Sequence, residues 1–261
     1  PANTLTFALV SGPTGLGVSP AGLVNWTPSE AQGPGTYPVT VQVTDNGTPS
    51  LSANQSFQIV VNEVNVAPTL VDPPDTNINE GVAWTYQLSA SDADRPANTL
   101  TFALVSGPTG LGVSPAGLVN WTPSEAQGPG TYPVTVQVTD NGTPSLSATQ
   151  SFQIVVNEVN VAPVLVDPPD TNINEGVAWT YQLSASDADQ PANTLTFALV
   201  SGPTGLGVSP AGLVNWTPSE AQGPGTYSVT VQVTDNGTPG LSATQSFQIV
   251  VNEVNVAPVL V

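Results

Sequence analysis

The chain consists of one sequence that recurs with a period of 95 residues. The segment PANTLTFALVSGPTGLGVSPAGLVNWTPSEAQGPGTY begins at Pro1, at Pro96 and at Pro191. The first two copies differ only at Asn54/Thr149, Thr69/Val164 and Arg95/Gln190, and the second and third only at Pro133/Ser228 and Ser145/Gly240. Near-identical copies are typical of a linear array in which each unit meets the same environment. A catalytic site, in which every residue has its own role, is not expected in such a chain.

Apolar and polar residues alternate within each period, as in half-buried β-strands. The clearest runs are VAWTYQLSA, TLTFALVS, TYPVTVQVTD and SATQSFQIVV, with shorter ones at Pro68–Val71, Thr76–Asn79 and Leu118–Trp121. Gly and Pro in SGPTG, SPAG, QGPG and DNGTP separate them, as chain reversals require. About seven strands in a unit of roughly 100 residues predict an all-β fold, a tandem array of immunoglobulin-like Greek-key sandwiches.

The segment NEVNVAP, which lies between the last strong strand of one unit and the first weak strand of the next, predicts the domain boundaries. We expect complete repeats at residues 67–161 and 162–256. Residues 1–66 would be a partial repeat without its first strands, and residues 257–261 the first strand of a further repeat. Two explanations of these ends stay open: a window cut from a longer array, or ends completed by strands from neighbouring molecules.

The composition excludes most familiar chemistry. There are 19 Asp and Glu residues against one Lys or Arg, a net charge of -18, and no His, Cys or Met. Nucleophilic triads, thiol catalysis, His/Cys zinc sites and lysine Schiff bases therefore lack their side chains, so we do not expect an enzyme. Nucleic acid and anionic membranes are bound through Lys and Arg, so neither is an expected partner. Direct membrane insertion is not expected either, because no run of about 18 apolar residues occurs.

The placement of the acidic residues is the most informative feature of each period. The eight carboxylates are Glu30, Asp45, Glu63, Asp72, Asp75, Glu80, Asp92 and Asp94, with their copies. Seven of them are expected in turns or connectors, and only Glu30 is expected away from the domain junctions. Concentrated negative charge is destabilising unless a bound cation neutralises it. The simpler alternative is that the acids are solvated turn residues, since Asp-Asn-Gly is itself a good hairpin turn.

Four motifs in each period resemble those of a known family. SDADRPANTL resembles the cadherin Asp-x-Asp calcium motif, TDNGTPSLSA the xDxGxP element, NEGVAW the early-strand glutamate and NEVNVAP the interdomain linker. With its GPTGL and WTP elements, the whole period is most similar to the He_PIG and dystroglycan-type cadherin-like repeats of bacterial or archaeal surface proteins. This resemblance implies cadherin-like and Ig-like β-sandwiches in an extracellular, cell-surface protein of the cell-adhesion type.

The resemblance also implies bound Ca²⁺, one or two ions at each junction between repeats. At the junction after the first complete repeat, the implied ligands are Glu80, Glu158, Asn160, Asp187, Asp189 and Asp235. At the preceding junction they are Glu63, Asn65, Asp92, Asp94 and Asp140. The residue types suit the ion, because Ca²⁺ takes about six to eight oxygen ligands in flexible geometry, and carboxylates and amides supply them.

These observations predict a non-catalytic structural array: a stalk, extender or filament whose joints are stiffened by calcium. The expected partners are neighbouring repeats of the same chain and, in a filament, identical chains. A glycan or cell-surface ligand would bind elsewhere in the full protein. Two alternatives stay open: a multivalent adhesive or carbohydrate-binding module that uses the tryptophans of NWTP and VAWTY, or a spacer in a larger secreted enzyme.

Overall fold

The computed structural model describes residues 3–257, which form an all-β protein with three short 3-10 turns. The described residues make two compact units, residues 3–75, 85–121 and 133–153 (unit 1) and residues 76–84, 122–132 and 154–257 (unit 2). Of the strand expected at 257–261, residues 258–261 lie outside the described part. Within residues 3–257 there is no helix whose length and apolar character would let it cross a membrane.

The strands follow one another in the same order in each period. The first period contains β1 (Leu5–Ser11), β2 (Gly17–Val18), β3 (Val24–Asn25), β4 (Gly35–Asp45), β5 (Ser52–Val61), β6 (Thr69–Leu70), β7 (Thr76–Asn79), β8 (Trp84–Gln87) and β9 (Ala90–Ser91). The second contains β10 (Thr101–Ser106), β11 (Gly112–Val113), β12 (Leu118–Trp121), β13 (Gly130–Thr139), β14 (Ser147–Asn157), β15 (Val164–Leu165), β16 (Thr171–Asn174), β17 (Trp179–Gln182) and β18 (Ala185–Ser186). The third contains β19 (Thr196–Ser201), β20 (Gly207–Val208), β21 (Leu213–Trp216), β22 (Gly225–Thr234) and β23 (Ser242–Asn252). The 3-10 turns span Glu30–Gln32, Glu125–Gln127 and Glu220–Gln222.

The repeat that begins at residue 162 lies wholly in unit 2 and is a β-sandwich, which confirms the predicted fold class. One sheet has the strand order β16-β23-β22-β19, another the order β17-β21-β20, and β15 pairs with β18. The inward residues of β22, Val229, Val231 and Val233, are fully buried, while the residues between them are partly exposed. The seven expected strands are present, and two further strands, β18 and β20, are only two residues long.

The pairing of β23, the last strand of the repeat, determines which segments lie beside the residues that follow it. In unit 2, β23 pairs antiparallel with β22, from Gly225 opposite Val251 to Thr234 opposite Ser242. On its other side β23 pairs in parallel with β16, up to Asn174 opposite Asn252. The residues of β14 that pair in parallel with β7 also lie in unit 2, and this pairing ends with Asn79 opposite Asn157. The residues that follow β7 and β14 therefore emerge side by side.

Unit 1 contains the sheet β1-β4-β5, in which β5 lies at an edge. The pair β4 and β5 has the same register as β22 and β23 of the third copy: Gly35 is opposite Val61, as Gly225 is opposite Val251. Phe57 on β5 is 39% exposed, whereas its copy Phe247 is 3% exposed. The difference arises because the described part of the first copy has no strand corresponding to β16 beside β5.

The tryptophans of the second and third NWTP segments belong to the apolar core, whereas Trp26 of the first is half-buried. Trp121 and Trp216 are each 2% exposed, and their indole N–H groups donate to Thr109 O at 3.2 Å and Thr204 O at 3.3 Å. Trp216 also meets Tyr227 edge to face, with ring centroids 5.2 Å apart. These rings are enclosed by the core and do not form an exposed row on which sugars could stack.

We predict that Ile249→Ala destabilises unit 2 by about 2–5 kcal/mol, because Ile249 is fully buried and truncation leaves a cavity. Gln248→Ala, at the adjacent exposed position, should change stability by less than about 0.5 kcal/mol. Urea unfolding monitored by tryptophan fluorescence measures both. Equal effects of the two substitutions would contradict the sandwich core described for this repeat.

Candidate metal centre at the linkers

Glu80 is held at the linker in unit 2 by the strand that precedes it. It follows β7, and its backbone N–H donates to Asn157 O at 3.2 Å. Its Oε1 accepts the N–H of Val159 at 2.8 Å, so the carboxylate is tied to the linker itself. The residue is only 4% exposed, and Oε2 is buried without a hydrogen-bond partner. A buried, unpaired carboxylate oxygen of this kind is stabilised by a bound cation.

Glu125 lies beside Glu80, although the sequence indicated that this position was unrelated to the junctions. The expectation stated for its copy Glu30 is therefore wrong. Glu125 opens the 3-10 turn that precedes β13. The turn is closed by Ser124 N–H donating to Gln127 Oε1 at 2.9 Å, and by Tyr132 O–H donating to Gln127 O at 2.7 Å. The third copy pairs β22 with β23 antiparallel, so the turn before β22 lies beside the residues after β23. The second copy has the same turn sequence, and β13 there lies next to β14.

Three carboxylates meet at this linker. Oxygen atoms of Glu80, Glu125 and Glu158 all lie within 4.8 Å of one another. Burial, together with the nearby carboxylates of Glu80, Glu125 and Asp189, raises the pKa of Glu158 to about 7. Burial and the carboxylates of Glu80 and Asp189 also raise the pKa of Glu125, against the effect of a hydrogen bond from the backbone of Gln190. The charges repel one another, and burial reduces their screening by water.

The Asp-x-Asp turn of the following repeat completes the same site. Asp189 is 2% exposed, and its Oδ1 accepts the linker N–H of Val161 at 2.9 Å. Its own N–H donates to Asp187 Oδ1 at 3.0 Å, while Asp187 Oδ2 is buried without a partner. The Asn193 side chain also donates to Asp189 Oδ2. A cleft of about 330 Å³ opens here, lined by Glu158, Asn160, Asp189, Pro191, Asn193, Gly237 and Thr238.

Asn160 and Asp235 adjoin the cleft through a hydrogen-bond network. Asn160 Nδ2 donates to Asp235 Oδ2 at 3.1 Å and to Pro239 O at 2.9 Å. Asp235 Oδ1 accepts the N–H groups of Gly237 at 3.0 Å and Leu241 at 2.9 Å. Burial alone would raise the pKa of Asp235, but these two amides and the Asn160 side chain hold it below its ordinary value. Both oxygens of Asp235 thus organise the loop around Asn160.

Unit 1 contains the corresponding site. Oxygen atoms of Glu30, Glu63 and Asp94 lie within 4.8 Å of one another. The pKa of Glu63 is raised by burial and by the carboxylates of Glu30, Asp94 and Asp92. A cleft of about 320 Å³ is lined by Glu63, Asn65, Asp94, Pro96, Asn98, Gly142 and Thr143, each 95 positions before its equivalent in unit 2. Within residues 3–66 there is no counterpart of Glu80.

The other two predicted residues of unit 1, Asp140 and Asp92, are hydrogen-bonded to Asn65 and Asp94. Asn65 Nδ2 donates to Asp140 Oδ2 at 3.0 Å, and Asp94 N–H donates to Asp92 Oδ1 at 2.9 Å. The structure thus brings the predicted residues of each junction near one another, but only Glu158, Asn160 and Asp189 in unit 2 and Glu63, Asn65 and Asp94 in unit 1 line the clefts. It adds Glu30, Glu125, Asn98 and Asn193, which sequence reasoning missed. Glu175, Glu220 and Glu253 form an equivalent three-carboxylate group in unit 2.

The donor set fits Ca²⁺, for which the sequence resemblance implied a site. Every candidate ligand is a carboxylate or amide oxygen, as a hard cation requires, and no His or Cys is present to favour a softer metal. Buried oxygens without partners occur on Glu80, Glu158 and Asp187. A divalent ion would satisfy these oxygens and offset the mutual repulsion of the carboxylates.

Comparisons with known proteins place the chain among repeat proteins. The He_PIG family, described as "Putative Ig domain", matches residues 1–62, 67–157 and 162–252. Protocadherin Fat 4 of Homo sapiens is 27% identical over 239 residues, which cover 84% of this chain and 5% of that protein. Chitinase A of Pseudoalteromonas piscicida is 33% identical over 140 residues, 52% of this chain and 16% of that protein. The chain therefore spans a small part of these relatives.

A solved structure supports the same fold. The crystal structure of mouse cadherin-23 repeats EC22-24 has a TM-score of 0.58 at 24% identity, covering 96% of this chain and 86% of that one. Together with the family match, this likeness shows tandem cadherin-like, Ig-like sandwiches.

The raised pKa of Glu158 predicts that the ion-free chain loses stability as pH rises. Its folded-state pKa of about 7 lies above the ordinary glutamate pKa of 4.5, so its contribution to stability is fully present below about pH 4.5 and is lost as pH rises through 7. Glu158→Gln should reduce this dependence and raise Tm above pH 7. Thermal melts in chelator between pH 4.5 and 8 measure the pH dependence of Tm. Identical Tm profiles for the wild type and Glu158→Gln would contradict the prediction.

Gly128 is expected to be intolerant of a side chain, because a Cβ there would overlap the Glu80 carboxylate. We predict that Gly128→Ala displaces Glu80 and destabilises the chain by about 1–3 kcal/mol. Gly240→Ala is the matched control, since its Cβ would meet its nearest atom at an ordinary 3.6 Å. Urea unfolding in chelator compares them, and equal stabilities would contradict the close approach of Gly128 to Glu80.

Proposed function

We propose that this chain, which belongs to the He_PIG family of Ig-like domains, is a non-catalytic structural repeat array of an extracellular or cell-surface protein. Ca²⁺ bound at each linker stiffens the connection between consecutive repeats. The array then acts as a stalk, extender or filament that carries binding functions located elsewhere. The repeats span the predicted boundaries 67–161 and 162–256.

One observation carries this proposal: the carboxylates at a linker come from both sides of it. In unit 2, Glu80 and Glu125 precede the linker in sequence, Glu158 lies in it, and Asp187 and Asp189 follow it. The pKa of Glu158 responds to Glu80, Glu125 and Asp189 together, so these groups share one electrostatic environment. An ion bound by all of them would resist hinge motion at the linker.

The ion requirement also supports the extracellular location. Sites of this kind in extracellular modules bind Ca²⁺ at roughly 10⁻⁴–10⁻³ M, so they fill at millimolar calcium and stay empty at cytosolic levels. Without the ion, the buried carboxylates repel one another. The array would therefore be stiff outside the cell and loose inside it.

A second candidate is a spacer within a larger secreted enzyme. The match to Chitinase A over 140 residues favours it, since this chain covers 16% of that protein and contains none of the His, Cys or Lys side chains of common catalytic sites. The two candidates differ in what is attached to the array and share the calcium-stiffened joint.

Calcium titration of the 261-residue chain and of two matched variants tests the proposal. Glu80→Gln/Glu158→Gln removes two candidate ligands, while Asp72→Asn/Asp167→Asn removes the same charge at two exposed positions. We expect wild type and control to bind Ca²⁺ in calorimetry, with a higher Tm and a narrower range of dimensions in small-angle scattering. The Glu80→Gln/Glu158→Gln variant should lose the calcium-dependent changes that come from the unit 2 linker site formed by these residues. Identical melting and scattering of the wild type in calcium and in chelator would refute the calcium-stiffened joint.

A further inference from the structure

Arg95, the single cation of the chain, directly follows the Asp-x-Asp turn of the unit 1 linker site. Its neighbours in sequence, Asp94 and Pro96, both line the cleft that includes Glu63 and Asn65. The Arg95 side chain itself is exposed. A fixed positive charge therefore begins one residue away from a candidate ligand of the unit 1 site.

The unit 2 site has Gln190 at the equivalent position. Asp189 and Pro191 line its cleft, and the backbone of Gln190 donates a hydrogen bond to the Glu125 carboxylate. The backbone of this position thus contacts the group of carboxylates directly. The two sites otherwise present the same residue types around their clefts.

The other differences between the first two copies lie away from the clefts. Asn54 is on β5, where its side chain accepts a hydrogen bond from Gln42 at 3.1 Å. Thr69 is on the short strand β6, opposite Ser91. Neither residue lines the cleft of unit 1. Of the three substitutions between these copies, Arg95/Gln190 is thus the one that changes the charge at a site.

We propose that the residue following the Asp-x-Asp turn sets the calcium affinity of each linker, and that Arg95 makes the unit 1 site the weaker one. This inference rests on the proposed calcium function. Calcium affinity depends on the net charge of the ligand group, and an arginine stays protonated at all physiological pH values. As calcium rises, the linkers then fill in order, with the Gln190 site first.

Reciprocal substitutions in the 261-residue chain test the inference, because residues 3–66 contain no counterpart of Glu80 and the two sites therefore cannot be compared directly. Arg95→Gln should lower the Kd of the weaker site by about three- to tenfold, and Gln190→Arg should raise that of the tighter site by a similar factor. Arg95→Lys keeps the charge and should behave as wild type. Asn54→Thr is the uncharged control. Each shift should shrink in 0.5 M NaCl, since salt screens exposed charges.

Calorimetry with CaCl₂ measures these affinities, and melts in chelator establish that all variants fold alike. Unchanged affinities in Arg95→Gln and Gln190→Arg, in chains that still bind calcium, would overturn the inference and leave the proposed function standing. Equal shifts in Arg95→Gln and Arg95→Lys would also overturn it, because the effect would then not come from the charge. A wild type that binds no calcium would overturn both proposals.

Discussion

The pairing of the last strand on both of its sides determines the arrangement at the linker. In the repeat held wholly by unit 2, β23 hydrogen-bonds antiparallel to β22 and parallel to β16. The parallel pairing brings the glutamate after β16 to the point where β23 ends, and the antiparallel pairing brings the turn before β22 to the same point. Three segments far apart in sequence therefore converge, and each contributes a carboxylate.

Bringing these carboxylates together lowers the stability of the ion-free chain, although the same carboxylates form the proposed ion site. An apolar side chain at Glu80 or Glu158 would remove buried charge and the repulsion between neighbouring carboxylates. The chain instead retains acids whose pKa values are raised by burial and has one cation in 261 residues. Burial of the valines and isoleucines in the sandwich cores stabilises the fold and offsets the cost of these buried carboxylates. A site of this kind would respond strongly to the divalent ion that we propose for it.

Much of the fold could be predicted because the alternation of apolar and polar residues is a local property. VTVQV in β22 and SFQIV in β23 indicate which side chains face inward, and the structure agrees. The two-residue strands β18 and β20 are too short to show any period. The parallel pairing of β16 with β23 joins segments more than 70 residues apart, and nothing in the local pattern indicates it.

The site was predictable only as far as its motifs are contiguous in sequence. The Asp-x-Asp turn, the linker glutamate and Glu80 each belong to a recognisable segment. Glu125 belongs to a turn that the sequence does not connect with the junctions, and its position follows only from the pairing of β13 with β14. That signal was present, since a long hairpin places the residues before its first strand beside those after its second. Asn193 is positioned through Asn160 and Asp189, contacts that need the folded chain.

The loop after β22 has a consequence for the chemical durability of the chain. Asn236 and Gly237 form the pair most prone to deamidation, a reaction in which the glycine nitrogen attacks the asparagine side-chain carbonyl. Here the Gly237 N–H is donated to Asp235 Oδ1 at 3.0 Å, and Asn236 Oδ1 accepts the N–H of Thr194 at 2.6 Å. Ring closure must therefore first release the Gly237 N–H from Asp235, while the Thr194 contact restrains the Asn236 side chain. Asp235, which organises the loop, therefore also slows deamidation of Asn236.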